Sequence, residues 1–311
     1  MDIKQSTFES FTVYSCDDIT SFIHIDINKP QTFYEKMFTH FFDETRLLRY
    51  AENKSNLNFS PTIKNYTALY KKLAIFIDKE NDVPIPPSLE PEILDVLKSE
   101  YQIVEEDGIK KIRLDKIGKI GEYIFSNFLS EYFKLECIIP KLNLITDPNM
   151  NVFGIDTLFY SPTNKLLLLG ESKVSNSLDN GISLINQSLS TYQSQVDDEF
   201  TLILSQRWLQ DKMGTFSDDF GDTIEVSLSM SDFIKKANIE QIGVPIFIAH
   251  GGDIDAKTIF QKFKRINKIS LYDIETIFIS ISLPLINKQE FMESFTKAIA
   301  LRREAYENAV K

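Results

Sequence analysis

Residues 154–173, with the sequence GIDTLFYSPTNKLLLLGESK, decide the fold of this chain. Residues 156–160 are mostly apolar and aromatic, and residues 161–164 carry the serine, proline and asparagine that favour turns. Residues 166–169 are an unbroken run of leucine that ends at a glycine. This pattern predicts two antiparallel strands joined by a short turn, with the second strand buried.

The hairpin brings charged side chains together. If the turn is centred on residues 163–164, Asp156 lies directly across from Glu171, whereas a turn centred two positions away makes them diagonal neighbours. Both registers place the two carboxylates on one face. Because side chains alternate along a strand, Glu171 and Lys173 share that face, and Ser172 is expected to point away from it.

Two carboxylates held this close repel each other unless a proton or a cation intervenes. Oxygen ligands with positions left for water suit Mg²⁺ or Mn²⁺. We therefore predict a metal site formed by Asp156, Glu171 and the backbone carbonyl of Ser172. Lys173 would stand beside the metal, orienting or helping to deprotonate a water and stabilising charge that grows on a phosphate.

An acidic residue two positions before a lysine is common in a charged chain, and the pattern occurs four times here. The other three copies begin at Asp2, Glu52 and Asp255. The first two lack a hairpin partner, and Asp255 is placed to cap a helix. Glu171 is the copy that ends an apolar strand opposite another acid, which favours a functional role for it.

A helix is predicted over residues 115–133, where apolar residues recur at the spacing of one buried stripe. Glu122 lies on the flank of this stripe and would point towards the edge of the core. It is a candidate catalytic residue that supports the metal or a bound water. The alternative is an exposed glutamate, or one paired with Lys119.

The elements around the hairpin follow a recognisable order. A short strand is predicted at residues 135–139, a helix at 178–195 and another strand at 200–204. The resulting order is α, β, β, β, α, β. Further strands at residues 244–249 and 276–281 would extend the sheet, and a helix is predicted from about residue 288 to residue 308.

This order and these residues resemble the PD-(D/E)xK nuclease superfamily. The resemblance implies a restriction-endonuclease-like αβββαβ core with a mixed central sheet, in which Asp156 and Glu171 are the acids that bind Mg²⁺. Lys173 then matches the lysine that assists hydrolysis, and Glu122 matches the glutamate of the first core helix. Ile155 stands where the name of the motif has proline. Gln187 and Tyr192 loosely match the glutamine and tyrosine of RecB-like members.

More narrowly, three short segments are similar to the nuclease subunit of the Hachiman anti-phage system, the HamA type. They are GEY at residues 121–123, GID at 154–156 and GESK at 170–173. This resemblance implies a Mg²⁺-dependent deoxyribonuclease that is paired with a helicase subunit and cuts DNA after phage-triggered release.

The composition indicates a globular protein. The chain has 311 residues, of which 43% are hydrophobic, enough for one large or two modest domains. No apolar run approaches the ~18 residues of a membrane span, and the N-terminus lacks the layout of a signal peptide. Two cysteines and three scattered histidines give neither a disulfide framework nor a zinc pattern. We expect a cytoplasmic protein.

Four prolines within residues 82–91 make this segment the best candidate for a linker. We predict an N-terminal α+β extension over residues 1–112, with a role in partner binding, followed by the nuclease-like domain over residues 113–311.

The net charge of −11 opposes a nucleic-acid enzyme, because duplex affinity is built largely from lysine and arginine contacts with phosphate. Two basic clusters partly answer this objection: Lys110, Lys111, Arg113, Lys116 and Lys119, and then Lys257, Lys262, Lys264, Arg265 and Lys268. They could equally be solvated faces. We expect weak intrinsic affinity for DNA and a partner that delivers it.

Two other functions are consistent with the sequence. The chain could be a scaffold or sensor subunit that keeps the nuclease fold without catalysis, which the acidic surface favours. It could also be a stand-alone restriction endonuclease, in which case a methyltransferase rather than a helicase would be encoded beside it.

Overall fold

The computed structural model describes residues 2–52, 58–60, 62, 65, 69, 83–84, 102–106, 108–113, 117–135, 137–140, 156–161, 164–205, 229–291, 293–295, 297–298 and 301. No helix within these ranges is both long enough and apolar enough to cross a membrane.

The described strands are β1 (Lys4–Phe8), β2 (Phe11–Cys16), β3 (Ile19–His24), β4 (Val83–Pro84), β5 (Gln102–Glu106), β6 (Ile109–Arg113), β7 (Cys137–Pro140), β8 (Thr157–Ser161), β9 (Leu166–Ser175), β10 (Gln241–His250) and β11 (Glu275–Pro284). The helices are α1 (Pro30–Phe41), α2 (Glu44–Glu52), α3 (Ile117–Asn127), α4 (Leu178–Ser190), α5 (Tyr192–Ser205), α6 (Met230–Lys236) and α7 (Ala256–Phe263). A π-helical turn, Phe128–Tyr132, follows α3, and residues 288–291 and 293–295 are helical.

Eight strands form one mixed sheet in the order β1-β2-β3-β11-β10-β9-β8-β7. The four strands β9, β10, β11 and β3 run parallel, and antiparallel pairs complete both edges. A second sheet has the order β4-β6-β5. The α/β class with a mixed central sheet is confirmed. Strands β1 to β3 come from the predicted N-terminal extension, and they belong to the same sheet as β9.

The predicted hairpin is present, in the first of the two registers considered. Thr157 pairs with Gly170 and Ser161 with Leu166, so the ladder is centred on residues 163–164. The register brings Asp156 and Glu171 to opposite positions at the end of the ladder.

Strand β9 is buried on both faces, as expected of a strand within a parallel sheet. Leu167 and Leu169 pack in the core that contains α4, α5 and α7, and we call this side the α4 face. Leu168 and Val174 pack in the second core, with α3 and the N-terminal aromatic residues, and we call that side the α3 face. The alternation fixes which side of the sheet each later residue of β9 occupies.

The predicted strand at residues 200–204 is wrong, because these residues belong to α5. Tyr192, Val196 and Phe200 recur every four residues and are at most 5% exposed, so they form one buried helical stripe. The short apolar run at the end of this helix mimics a buried strand. The next strand of the sheet is β10, which runs parallel to β9, so the final β of the predicted αβββαβ order lies later in the chain.

The remaining predictions for the elements outside the hairpin are confirmed in part. Strands β10 and β11 contain the predicted segments 244–249 and 276–281. Asp255 caps α7 by accepting a hydrogen bond from the backbone N–H of Thr258, which confirms the structural role expected for its triplet. The predicted linker at residues 82–91 is described at β4 alone, and residues 115 and 116, the predicted start of the first core helix, lie outside the described residues.

Gly170 permits the closest contact between β9 and its neighbours. A Cβ atom there would lie 2.1 Å from Thr157 Oγ1 and 2.8 Å from Phe125 Cε1. Phe125 is fully buried, so its ring has little room to yield. A larger residue at this position would push β9 away from α3.

The Gly170→Ala variant should therefore lose stability by about 1–3 kcal/mol, the usual cost of overpacking a core. Chemical unfolding monitored by circular dichroism measures this loss. Gly118→Ala is the matched control, because nothing lies within 4 Å of its added methyl group and its unfolding midpoint should stay the same or rise slightly. Equal midpoints for the two variants would contradict the predicted close contact.

His250 ends β10 and is fully buried. Its Nδ1 atom lies 3.2 Å from the carbonyl oxygen of Gly251, which can only accept, so Nδ1 carries the proton. Its Nε2 atom lies 2.8 Å from Ser282 Oγ and accepts from that hydroxyl. Burial lowers the pKa of His250 to about 4, so the ring is neutral in the folded protein at pH 7.

Acidification should destabilise the fold through this histidine. The unfolded chain binds a proton near pH 6.5 and the folded chain does so only near pH 4. The contribution of the neutral ring is therefore complete above pH 6.5 and is lost as the pH falls towards 4, by about 2 kcal/mol at pH 5. Urea unfolding at pH 7 and pH 5 measures the loss. His250→Gln should flatten this dependence, and an unchanged slope in that variant would contradict the assignment.

Candidate active site

Glu171 and Lys173 lie on the α4 face of β9, next to Ile246 and Ile248 of the neighbouring parallel strand. Lys173 Nζ is 2.7 Å from Glu171 Oε1, and the two side chains are 30% and 4% exposed respectively. The predicted convergence of these two residues is present. A carboxylate as buried as that of Glu171 needs a cation beside it, and Lys173 supplies one while keeping part of its own chain in reach of solvent.

Asp156 is the residue immediately before β8. Its backbone N–H donates to the carbonyl oxygen of Gly170 at 2.8 Å. Its Oδ2 atom accepts from both the backbone N–H and the hydroxyl of Ser172, each at 2.7 Å. The hydrogen bonds of the Asp156 side chain thus extend the β8–β9 pairing beyond its last backbone pair, Thr157 and Gly170. These bonds hold the carboxylate against β9.

The hydroxyl of Ser172 was missed as a site group by the sequence reasoning, which considered only its backbone carbonyl. Alternation correctly places Ser172 on the opposite face from Glu171. Because β8 begins only at Thr157, however, the carboxylate of Asp156 lies outside the ladder and turns towards Ser172. The signal available in the sequence was the first of the two hairpin registers, which places Asp156 within one position of Ser172.

Glu122 is 7% exposed, on the helix that packs against the α3 face. Lys119 Nζ lies 3.2 Å from both of its carboxylate oxygens, which is the pairing expected if Glu122 is not catalytic. Helix α3 crosses β9 closely, since a Cβ at Gly121 would meet Val174 at 2.6 Å. Glu122 therefore approaches β9 from the side of Ser172, whereas Glu171 and Lys173 occupy the other side.

Thr157 adds a polar atom that the sequence did not indicate. Its Oγ1 atom is buried beside Gly170 and has no hydrogen-bond partner within the described ranges. A buried hydroxyl without a partner costs about 1–3 kcal/mol. It belongs to the residue that follows Asp156, and it lies in the tightly packed contact between Gly170 and Phe125.

The donors fit a hard, oxygen-seeking cation better than a soft one. Asp156 and Glu171 are 8% and 3% exposed, and both offer carboxylate oxygens. Among the described residues, no group of three or more His, Cys, Asp and Glu side chains is arranged to hold a metal ion. Two carboxylates with a backbone carbonyl suit Mg²⁺, which keeps several waters in its coordination shell.

Tyr192, at the start of α5, reaches the site strand from the α4 face. Its hydroxyl donates to the carbonyl oxygen of Leu169 at 2.9 Å, and the ring is 1% exposed. This bond ties β9 to the helical layer two residues before Glu171. Gln187, its loose companion in the sequence pattern, is exposed on α4.

The mixed sheet flanked by helices is an α/β architecture consistent with a nuclease-like fold. The chain belongs to the HamA family, whose model matches residues 12–299. Members of this family are subunits of the Hachiman anti-phage defence system. The comparison with curated proteins gives no match.

Ser172→Ala should remove one of the two hydrogen bonds that hold Asp156 while leaving the backbone bond in place. Because the acceptor is a buried carboxylate, we expect a loss of about 1.5–3 kcal/mol of stability. Urea unfolding measures it, with Ser183→Ala as control, since the Ser183 hydroxyl is exposed and bonds only to a helix carbonyl. A Ser172 variant as stable as the control would show that Asp156 does not depend on this hydroxyl.

Proposed function

We propose that this chain is the metal-dependent DNA nuclease of its Hachiman system, hydrolysing phosphodiester bonds in concert with a helicase partner. The observation that carries the proposal is the buried Glu171–Lys173 pair, joined at 2.7 Å, at the position across from Asp156. A carboxylate and a lysine so placed are poorly explained by stability alone, because an apolar pair would fill the same strand at lower cost.

Asp156, Glu171 and the backbone carbonyl of Ser172 would hold Mg²⁺ or Mn²⁺ in this proposal. The ion would polarise the scissile phosphate and make a bound water more acidic. Ser172 has a second role, because its N–H and hydroxyl fix the orientation of Asp156. A carboxylate held in advance loses little entropy on binding an ion.

Lys173 is the residue whose charged partner would change in this proposal. It neutralises Glu171 in the structure, and its side chain is 30% exposed, so the ammonium can turn from the carboxylate towards a phosphate. If a metal ion bound Glu171, the ammonium of Lys173 would be available to orient the attacking water and to stabilise the charge that develops on the phosphate.

Glu122 has a supporting role in this proposal. Helix α3 covers the face of β9 that carries Ser172, so Glu122 can act on the site through the Asp156–Ser172 side or through a bound water. Its removal should reduce cleavage less than removal of Glu171.

The acidic character of the chain supports the need for a partner. With a net charge of −11, the protein as a whole repels a polyanion such as DNA at long range. A helicase subunit that itself holds DNA would raise the local concentration of substrate at Glu171. Co-purification of the two subunits, with and without DNA, tests the coupling.

Glu171→Gln and Lys173→Ala should each reduce cleavage of plasmid DNA by at least about 100-fold in the presence of Mg²⁺ and the helicase subunit. Gel assays of nicking and linearisation measure this loss. Lys4→Ala is the matched control, because Lys4 belongs to another acid-x-lysine triplet and lies exposed on β1, the edge strand far from β9. Cleavage that persists in both site variants while they remain folded would overturn the nuclease assignment.

A scaffold or sensor subunit without catalysis is the second candidate, favoured by the net charge and by the ion pair that already satisfies Glu171. Calorimetry with Mn²⁺ separates the two functions. A nuclease should bind the ion, with affinity reduced in Glu171→Gln, whereas a scaffold should give no heat with or without DNA. A stand-alone restriction enzyme would cut without any helicase subunit.

A further inference from the structure

The second basic cluster lies on the same side of the sheet as Glu171 and Lys173. Ile259, Phe260 and Phe263 of α7 are buried in the core of the α4 face, on which Glu171 and Lys173 also lie. Helix α7 and the segment after it carry five cations, which we call the α7 basic surface: Lys257, Lys262, Lys264, Arg265 and Lys268.

Helix α4 connects this surface to Lys173. Lys173 and Ile248 are partners in neighbouring strands, about 5 Å apart. A Cβ at Gly181 would lie 2.5 Å from Ile248 Cγ2, so the first turns of α4 cross directly beside the site. Asp179, two residues earlier on α4, contacts the α7 basic surface.

Acids of the same chain occupy the main cations of this surface. Asp179 holds Lys262 through Oδ2 at 2.6 Å and Arg265 through Oδ1 at 2.7 Å. Asp253 adds a second contact to Lys262 at 2.7 Å. The hydrogen bonds from Lys262 and then Arg265 hold the pKa of the Asp179 carboxyl below its ordinary value, so it stays ionised.

These ion pairs are not needed to hold α7 in place. The helix buries Ile259, Phe260 and Phe263 at no more than 3% exposure. Asn186 of α4 also donates to the carbonyl oxygen of Arg265 at 3.1 Å and accepts from the N–H of Asn267 at 2.8 Å. Partly exposed ion pairs such as those of Asp179 contribute little to stability.

The arrangement of Asp179 matches that of a bound phosphate. Two anionic oxygens each meet one cation, and the carboxylate is 47% exposed, so a competing anion can reach it. Arginine and lysine together are the usual partners of nucleic-acid phosphate groups.

We infer that the α7 basic surface binds the phosphate backbone of the nucleic acid brought to Glu171 and Lys173, and that Asp179 and Asp253 restrain this binding by occupying its cations. Substrate phosphate then exchanges with Asp179 on Lys262 and Arg265. The inference takes its substrate, DNA, from the proposed function. It adds the path of the nucleic acid across the protein and names Asp179 as the group that competes with phosphate.

Binding of a fluorescent DNA duplex to the full chain in EDTA tests the inference, because cleavage is then absent and a failed nuclease assignment does not affect the result. Asp179→Asn should tighten binding about threefold to tenfold at low salt, with a steeper salt dependence. Lys262→Gln and Arg265→Gln should each weaken binding.

Glu240→Gln is the control for the charge change. Glu240 pairs with Lys165 at the opposite end of β9 and β10, about 30 Å from Asp179. Thermal unfolding verifies that each variant is folded. If Asp179→Asn binds no more tightly than Glu240→Gln, or if the two cation variants bind as the parent chain does, the surface is a solvated face and the inference is wrong.

Discussion

The burial of the Glu171 carboxylate is the constraint on which the rest of the site depends. Strand β9 runs through the middle of the sheet with cores on both faces, so an acid within it is removed from water. Such a charge is tolerated only beside a cation, and Lys173, two residues on, is the neighbour that alternation places on the same face. The same requirement makes this position suitable for a metal ion.

The site is divided between the two sides of the sheet. The α4 face carries the Glu171–Lys173 pair, while Ser172 and the helix of Glu122 lie on the α3 face. Asp156 lies across from Glu171 in the hairpin register, and its carboxylate accepts from the backbone N–H and the hydroxyl of Ser172. Because β8 begins only at Thr157, the side chain of Asp156 lies outside the backbone ladder and can turn towards the α3 face.

Ion pairs also occupy the second basic cluster, outside the candidate active site. The sequence left open whether the second basic cluster contacts phosphate or is an ordinary solvated face. The structure pairs Lys262 with Asp179 and Asp253, and Lys268 with Asp18. In the proposed function, these pairs would let an acidic chain carry a phosphate-binding surface while its affinity for DNA stays low until a partner supplies the substrate.

The sequence by itself determined the hairpin, the α/β class and the shared face of Glu171 and Lys173, because these follow from local turn chemistry and from alternation along a strand. It left two hairpin registers open, and the structure selected one of them. It misassigned residues 200–204, since a short apolar run reads alike in a buried strand and in a buried helix. Only the tertiary structure decided that Ser172 holds Asp156 and that Asp179 meets Lys262, 83 residues away. Such contacts depend on where a strand ends and how two helices dock, and no local pattern in the chain encodes either.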